Sequence, residues 1–226
     1  MNIFSSIKIE EIYRYKLKSL EDISKYLDIW HNLSEDEKLE LKILDKPLFE
    51  KKYSHLSQQE LLEKAKDDSF WEEYNDKFVY GEISKEGVNK LSNYLKRYSG
   101  NFYDIGSGNG KLLLHLSLLT NFEKYVGVEI VELRHKYALK INESLGQNVI
   151  FICDDVLNLD ISDANFIFLD DLMFPRDLRT KILKKIPYNC LYISVWKNDE
   201  DELIENLKIA VTWLEKEMDF YLYKKR

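Results

Sequence analysis

The tightest constraint on this chain is an eight-residue stretch, Tyr103-Asp104-Ile105-Gly106-Ser107-Gly108-Asn109-Gly110. It ends an aromatic, strand-like run and leads into the helix-like Lys111-Leu112-Leu113-Leu114-His115-Leu116. A strand must turn sharply there and let its backbone approach a ligand. Glycine permits both, because it has no Cβ and accepts positive φ. Glu129 closes a second apolar run nineteen positions after Gly110. An acid at the end of the next strand is placed to bind the hydroxyls of a ribose. The pattern predicts an adenosine-containing cofactor in the first crossover of a doubly wound sheet.

Length and charge narrow the setting. A chain of 226 residues has room for one full domain with a small extension and a sizeable core. Its 45% hydrophobic and 32% charged residues place it among soluble globular proteins. No run approaches the roughly eighteen apolar residues of a membrane span, so no membrane partner is expected. Met1 to Glu10 has no basic segment followed by a long apolar core, so no signal peptide is expected and the protein reads as intracellular. Cys153 and Cys190 lack metal-ligand spacing and sit in apolar strand-like runs, which reads as two buried, reduced thiols and no metal site. The net charge of −7 gives no general attraction to nucleic acid. The basic clusters Lys181, Lys184, Lys185 and Lys224, Lys225, Arg226 read as solvated surface.

Two regions follow from the periodicity. Residues 1–75 read as a helical N-terminal region, with stripes at Ile23, Tyr26, Leu27, Trp30 and at Leu39, Ile43, Leu44. Ser57-Gln58-Gln59-Glu60 has the form of a helix start. His31 and His55 are lone and read as surface or packing residues. Residues 76–226 alternate strands and helices: a helix from Ser84 to Arg97, strands at Asn101–Ile105, Tyr125–Glu129, Val149–Cys153, Asn165–Leu169 and Cys190–Trp196, with helices between. This alternation, with continuous apolar strands, predicts a parallel sheet covered on both faces. The β-prone runs Lys208–Trp213 and Asp219–Tyr223 predict a closing antiparallel hairpin, in preference to a helix through Leu214.

The glycine spacing is G-x-G-x-G followed by Lys111, not the G-x-G-x-x-G usual for nicotinamide cofactors. With Glu129 and the terminal hairpin, it resembles the class I S-adenosylmethionine-dependent methyltransferases. That resemblance implies a Rossmann-like seven-stranded sheet with a C-terminal antiparallel hairpin, preceded here by the small helical region. It makes residues 76–226 an S-adenosylmethionine-binding catalytic domain. Asp104 would anchor the turn or reach the cofactor's amino group. Gly106, Gly108 and Gly110 would leave room for the methionine part, Glu129 would accept both ribose hydroxyls, and Asp154 or Asp155 would accept the adenine amino group. A single strand-end acid is as often a helix cap, yet four in register are hard to explain as caps.

Three segments narrow the resemblance to the Dot1 family of histone lysine methyltransferases. Val79-Tyr80-Gly81-Glu82 is similar to the family's Tyr-Gly-Glu loop. The glycine motif continues through Lys111 to Gly127-Val128-Glu129 in the family's order. Phe168-Leu169-Asp170-Asp171-Leu172-Met173-Phe174-Pro175 stands where the family has an Asn-Asn-Phe segment. Val211-Thr212-Trp213 and Phe220-Tyr221-Leu222 resemble its Ser-Trp and Tyr-Tyr hairpin. The resemblance implies that Tyr80 and Glu82 contact the cofactor, as do Lys111 and Asp170. It puts Asp171 at the methyl-transfer site and makes Trp213 and Phe220 the walls of a narrow lysine channel, with Tyr80 beside them. Apolar walls would desolvate the ammonium and favour the neutral amine that attacks a sulfonium methyl. Two aspartates replace two asparagines, Phe220 replaces a tyrosine, and the long basic flank that grips nucleosomal DNA is missing.

The expectation is therefore a protein-lysine N-methyltransferase and chromatin regulator with a histone, nucleosome or other basic protein as partner. Its residence would be nuclear on the histone reading and cytoplasmic otherwise. A methyltransferase acting on a non-histone protein, a small molecule or RNA, and a non-catalytic cofactor-binding module, stay open as alternatives. Asp170-Asp171-Leu172-Met173-Phe174 differs from the Asn/Asp-Pro-Pro-aromatic motif expected for amino groups of bases. Glu35-Asp36-Glu37 and Asp199-Glu200-Asp201-Glu202 read as recruiters of a basic tail or, more plainly, as solvated helix ends.

Overall fold

The structure, a computed structural model, describes residues 81–212, 214 and 216–226, together with Ser57 and Glu60. The stripes, histidines and first acidic cluster of residues 1–75 lie outside the described residues, as do Tyr80 and Trp213. At Ser57 and Glu60 a reciprocal cap is formed. Glu60 Oε2 accepts from Ser57 N at 2.8 Å, and Ser57 Oγ accepts from Glu60 N at 3.3 Å, as the sequence predicts for a helix start.

Five parallel strands are built from β-branched and aromatic runs. They are β1 (Asn101–Ile105), β2 (Lys124–Glu129), β3 (Ile150–Cys153), β4 (Phe166–Leu169) and β5 (Leu191–Ser194). Helix α1 (Lys85–Leu95) precedes them, capped by Ser84 Oγ on Gly87 N at 3.2 Å. Helices α2 (Lys111–Leu119), α3 (Glu132–Leu145) and α4 (Arg176–Lys185) fill the crossovers. Strands β6 (Glu202–Ile209) and β7 (Met218–Lys224) complete a seven-stranded sheet in the order β3-β2-β1-β4-β5-β7-β6, with β7 antiparallel to both neighbours. This is the Rossmann-like order and terminal hairpin that the class I methyltransferase resemblance implies.

Strand alternation divides the interior into two layers. Phe102, Phe166, Phe168 and Phe220 face α1, α2 and α3, whereas Tyr103, Ile167, Tyr192 and Tyr223 face α4. In the first layer Phe102 stacks on Phe166 at 5.5 Å and Phe168 on Phe220 at 5.7 Å between ring centroids. Because β1 and β4 pair with Asp104 opposite Phe168, Asp104 and Asp170 emerge on the same face at the carboxyl ends of adjacent strands.

Three expectations are corrected. The first hairpin strand is Glu202–Ile209, not Lys208–Trp213. As the edge of the sheet it carries charge along its length, and a bulge between Leu203 and Glu205 breaks its alternation, so its sequence does not look like a strand. The β-prone Val211 instead makes an isolated antiparallel bridge to Ile83. Cys153 is exposed and only Cys190 is buried, because β3 is the opposite edge of the sheet. Asp201 and Glu202 form no helix end. Asp201 holds Lys225 at 3.1 Å, accepts from Tyr192 at 2.8 Å, and so ties the basic C-terminal residues to the sheet. Among the described residues, no helix is long and apolar enough to cross a membrane, and no acidic, histidine or cysteine group has the form of a metal site.

Candidate active site

The turn after β1 places the site. Gly106, Gly108 and Gly110 have φ of 83°, 54° and 77°, values that side chains with a Cβ rarely adopt. The amides of Gly106 and Ser107 donate to Val128 O, closing the turn onto β2. Only Gly106 of the three lines a cavity. Gly108 donates its amide to Glu129 Oε2 at 2.8 Å, and a Cβ on Gly110 would strike the Phe151 ring. The structure thus moves Gly108 and Gly110 away from the methionine space and into the packing of the turn. Gly127 has a similar role: an added Cβ would meet Phe151, Ser107 Oγ and Leu113 within 2.8 Å.

A cavity of about 350 Å³ opens at the carboxyl ends of β1, β2 and β4. Its walls are mostly apolar, with Ile105, Ile130, Val156, Leu172 and Phe174 among them, and its rim carries Glu129, Asp154 and Asp155. Glu129 is 4% exposed. Its second oxygen accepts from Val131 N at 2.8 Å, and Arg134 Nη1 lies 4.0 Å away. Burial raises its pKa and the two backbone amides pull it back down. Asp154 Oδ1 accepts from Asp155 N and Asn158 Nδ2, and Asp155 Oδ1 caps Leu157 N at 2.9 Å. Both acids therefore cap the short turn Val156–Asn158 while bordering the cavity.

A smaller cavity of about 60 Å³ adjoins it, and its character is different. Glu82, Asp104, Lys111 and Asp170 all border it. Lys111 Nζ pairs with Glu82 Oε2 at 2.6 Å, with the lysine side chain 5% exposed. Thr212 N donates to Glu82 O at 2.9 Å, so the loop before α1 is tied to the end of the hairpin's first strand. Burial, then the nearby Asp170 and Glu129, push Asp104 up to about 8. Burial, then the Asp171 charge, push Asp170 up to about 7. Ser107 Oγ is buried at this cavity with no hydrogen-bond partner among the described residues, so it has a bond to offer an incoming ligand.

Asp171 and Phe220 stand elsewhere. Asp171 is fully buried and borders neither cavity. It accepts from Ser194 Oγ at 2.8 and 2.9 Å and from Val195 N at 2.9 Å, and Trp196 Nε1 donates to its carbonyl at 3.1 Å. It locks the turn after β4 to the end of β5. Phe220 is 0% exposed in the layer under α1 and α2, so it is core and not a channel wall. The reading of Phe220 as a wall assigned it by its place in a motif, and a buried strand position hides that difference. Sequence reasoning also missed Ile130, Arg134 and Lys181 at the large cavity. Ile130 and Arg134 directly follow Glu129, and Lys181 was grouped with solvated lysines.

The model of the family described as histone methylation protein DOT1 matches residues 70–172. The match runs from before the Glu82 loop through Asp170 and Asp171, and ends before β5 and the hairpin. No curated protein matches the chain. Solved structures similar to it include an RNA methyltransferase from Salinibacter ruber in complex with S-adenosyl-L-homocysteine, at 22% identity and TM-score 0.47, covering 62% of this chain and 91% of that one. M. capricolum TrmK, in complex with S-adenosyl-homocysteine, aligns at 15% identity and TM-score 0.48, covering 62% and 67%. TehB from Haemophilus influenzae aligns at 14% identity and TM-score 0.44, covering 71% and 67%. At these TM-scores the fold reading rests on the strand order itself.

The DOT1 family, whose model matches residues 70–172, uses S-adenosylmethionine, and the donor set of this site fits that group. An apolar chamber with acids on its rim suits a purine and a ribose. A charged annex holding carboxylates, an ammonium and an unsatisfied hydroxyl suits a zwitterionic amino-acid tail. Glu129 would hold the ribose, Asp154 and Asp155 would border the adenine, and Glu82, Asp104 and Lys111 would meet the methionine end.

Proposed function

We propose that this chain is an S-adenosylmethionine-dependent N-methyltransferase acting on the lysine of a basic protein, with a histone as the first candidate. The observation that carries the reading is the DOT1 match over residues 70–172, laid across a cavity in two parts whose junction is acidic. Bound there, the cofactor supplies a methyl group on a sulfonium. The chain's own part is to orient the two reactants, since methyl transfer asks for in-line approach and little covalent chemistry from the protein. Glu129 reads as the ribose ligand and Lys111 as the partner of the tail carboxylate. Tyr80 and Trp213 keep the roles implied by resemblance, whereas Phe220 supports Phe168 from within the core.

A non-histone basic protein is the second reading, favoured by the net charge of −7. Residence follows the substrate: nuclear for a histone, cytoplasmic otherwise. The deciding experiment offers radiolabelled cofactor with nucleosomes, free histones, a mixed basic-protein pool and total RNA. Label on a lysine of histone or another basic protein is expected. Label in RNA alone sinks the lysine reading, and a folded protein that binds no cofactor in calorimetry sinks the whole proposal.

A further inference from the structure

Three residues, Gly81, Gly106 and Asp170, line both cavities, and Asp170 alone of them brings a functional side chain. The junction lies between the chamber suited to adenosine and the annex suited to the amino-acid tail, which is where the sulfonium of a bound cofactor would sit. The neighbouring Asp171 is committed to Ser194 and Val195 and points away from both spaces. The paired aspartates therefore have separate tasks, one structural and one facing the reactants.

We propose that Asp170 is the proton acceptor for the substrate amine, a carboxylate set at the point where the two cavities meet. This rests on the amine-methylating reading above. The charged groups around it are Asp171 from its own turn, Asp104 from β1, Glu129 beyond Asp104 on β2, the Lys111–Glu82 pair from α2 and the loop before α1, and Arg179 and Lys181 from α4. Acids dominate the near side, and Lys111, which borders the same small cavity, is already paired with Glu82. That environment holds Asp170 up to about 7, so the carboxyl takes and releases a proton near neutral pH. The asparagine that the Dot1 resemblance places here has no such capacity.

The step balances. Asp170 carboxylate takes one proton from the substrate ammonium, leaving a neutral amine and a carboxylic acid. The amine lone pair then forms the N–C bond as the C–S bond breaks, and that bond's electron pair returns to sulfur. Asp170 finally releases its proton to water, so one proton leaves per methyl transferred. Desolvation at the junction, together with the positive charge of the neighbouring sulfonium, would lower the ammonium's pKa toward that of Asp170 and make the first transfer feasible.

Calorimetry tests the placement without turnover. S-adenosylmethionine and S-adenosylhomocysteine are each titrated at pH 7 in two buffers of different ionisation enthalpy. A sulfonium beside Asp170 drives its proton off, so the methyl donor should release about half a proton more than the neutral sulfide. Asp170→Asn should abolish that difference while still binding the sulfide. Asp170→Ala gives the same readout should the asparagine variant fail to fold. The proposal is overturned by no difference in the wild-type protein, or by a difference that persists in the variants. Failure of the wild-type protein to bind either compound overturns the cofactor reading instead. With any accepted amine, Asp170→Asn should lower kcat about 100-fold and remove the acidic limb near pH 7 from the profile of kcat/KM for S-adenosylmethionine. An unchanged kcat and limb would also overturn it.

Discussion

The two halves of the cavity solve the problem of burying an acid in opposite ways. At the adenosine end Glu129 is 4% exposed, and its two oxygens are met by the amides of Gly108 and Val131. Backbone geometry holds that charge, and the glycine turn is the device that aims the amides. At the annex burial, with the charges of Asp170 and Glu129 beside Asp104 and of Asp171 beside Asp170, raises the pKa values of Asp104 and Asp170 to about 8 and about 7. Few amides reach them. On the proposed reading the first half would be a fixed receptor for a neutral sugar, and the second an anionic pocket kept partly protonated until a cation arrives. A receptor for a cationic cofactor and a cationic substrate gains from leaving its compensation to the ligand.

Breaking the first half should give the largest effect on cofactor affinity. Glu129→Gln retains the shape but turns one acceptor into an amide donor facing Gly108 N or Val131 N. Loss of a charge-assisted acceptor for the ribose is worth about 2 kcal/mol, roughly a thirtyfold weaker dissociation constant. Calorimetry with S-adenosylhomocysteine measures it. Affinity within about threefold of the wild-type value would mean that the ribose is held elsewhere, and the comparison between the halves would lose its first term.

The second half should show itself in the pH dependence of stability. Unfolded aspartates release their protons near pH 4, whereas Asp104 and Asp170 in the folded protein keep theirs until about 8 and about 7. Between those limits the native state binds more protons, so stability falls as pH rises. Each such acid costs up to about 1.4 kcal/mol per pH unit while it still holds its proton, so the two together should cost about 3 kcal/mol between pH 6 and 8. Thermal melting of the ligand-free protein should therefore fall across that range, and Asp170→Asn should flatten the slope. A melting temperature that rises from pH 6 to 8 would contradict the protonated annex.

The difference between the halves also explains what the sequence could reveal. The glycine turn, Glu129 and the five parallel strands are local patterns: a positive-φ turn, an acid at a strand end, an apolar run between helices. Each is written in consecutive residues, and each appears in the structure within a residue or two of its expected place. The annex is assembled from the ends of β1 and β4, the loop before α1 and the start of α2, so only register brings it together. Asp170 and Asp171 look interchangeable in sequence, and one peptide unit decides which faces the cavity and which locks to Ser194. Edge strand β6 was illegible for a related reason. Solvent on its outer side removes the need for an apolar repeat, and its bulge shifts what alternation remains.

The smallest effect should come from the surface contact that joins α1 to the hairpin. Lys90 Nζ meets Glu217 Oε1 at 2.7 Å, with the two side chains 53% and 43% exposed. An exposed pair of this kind contributes about 0.5 kcal/mol or less. Lys90→Met should therefore leave the melting temperature within a degree or so of the wild-type value. It should also leave cofactor affinity unchanged, because the bond from Thr212 to Glu82 and the bridge from Val211 to Ile83 hold the annex loop independently of it. Those backbone contacts are what connect the hairpin to the charged half of the cavity. A Lys90→Met protein that bound cofactor several-fold more weakly, at unchanged stability, would show that the β6–β7 connection shifts the Glu82 loop. The annex would then depend on the hairpin's position as well as on its own charges.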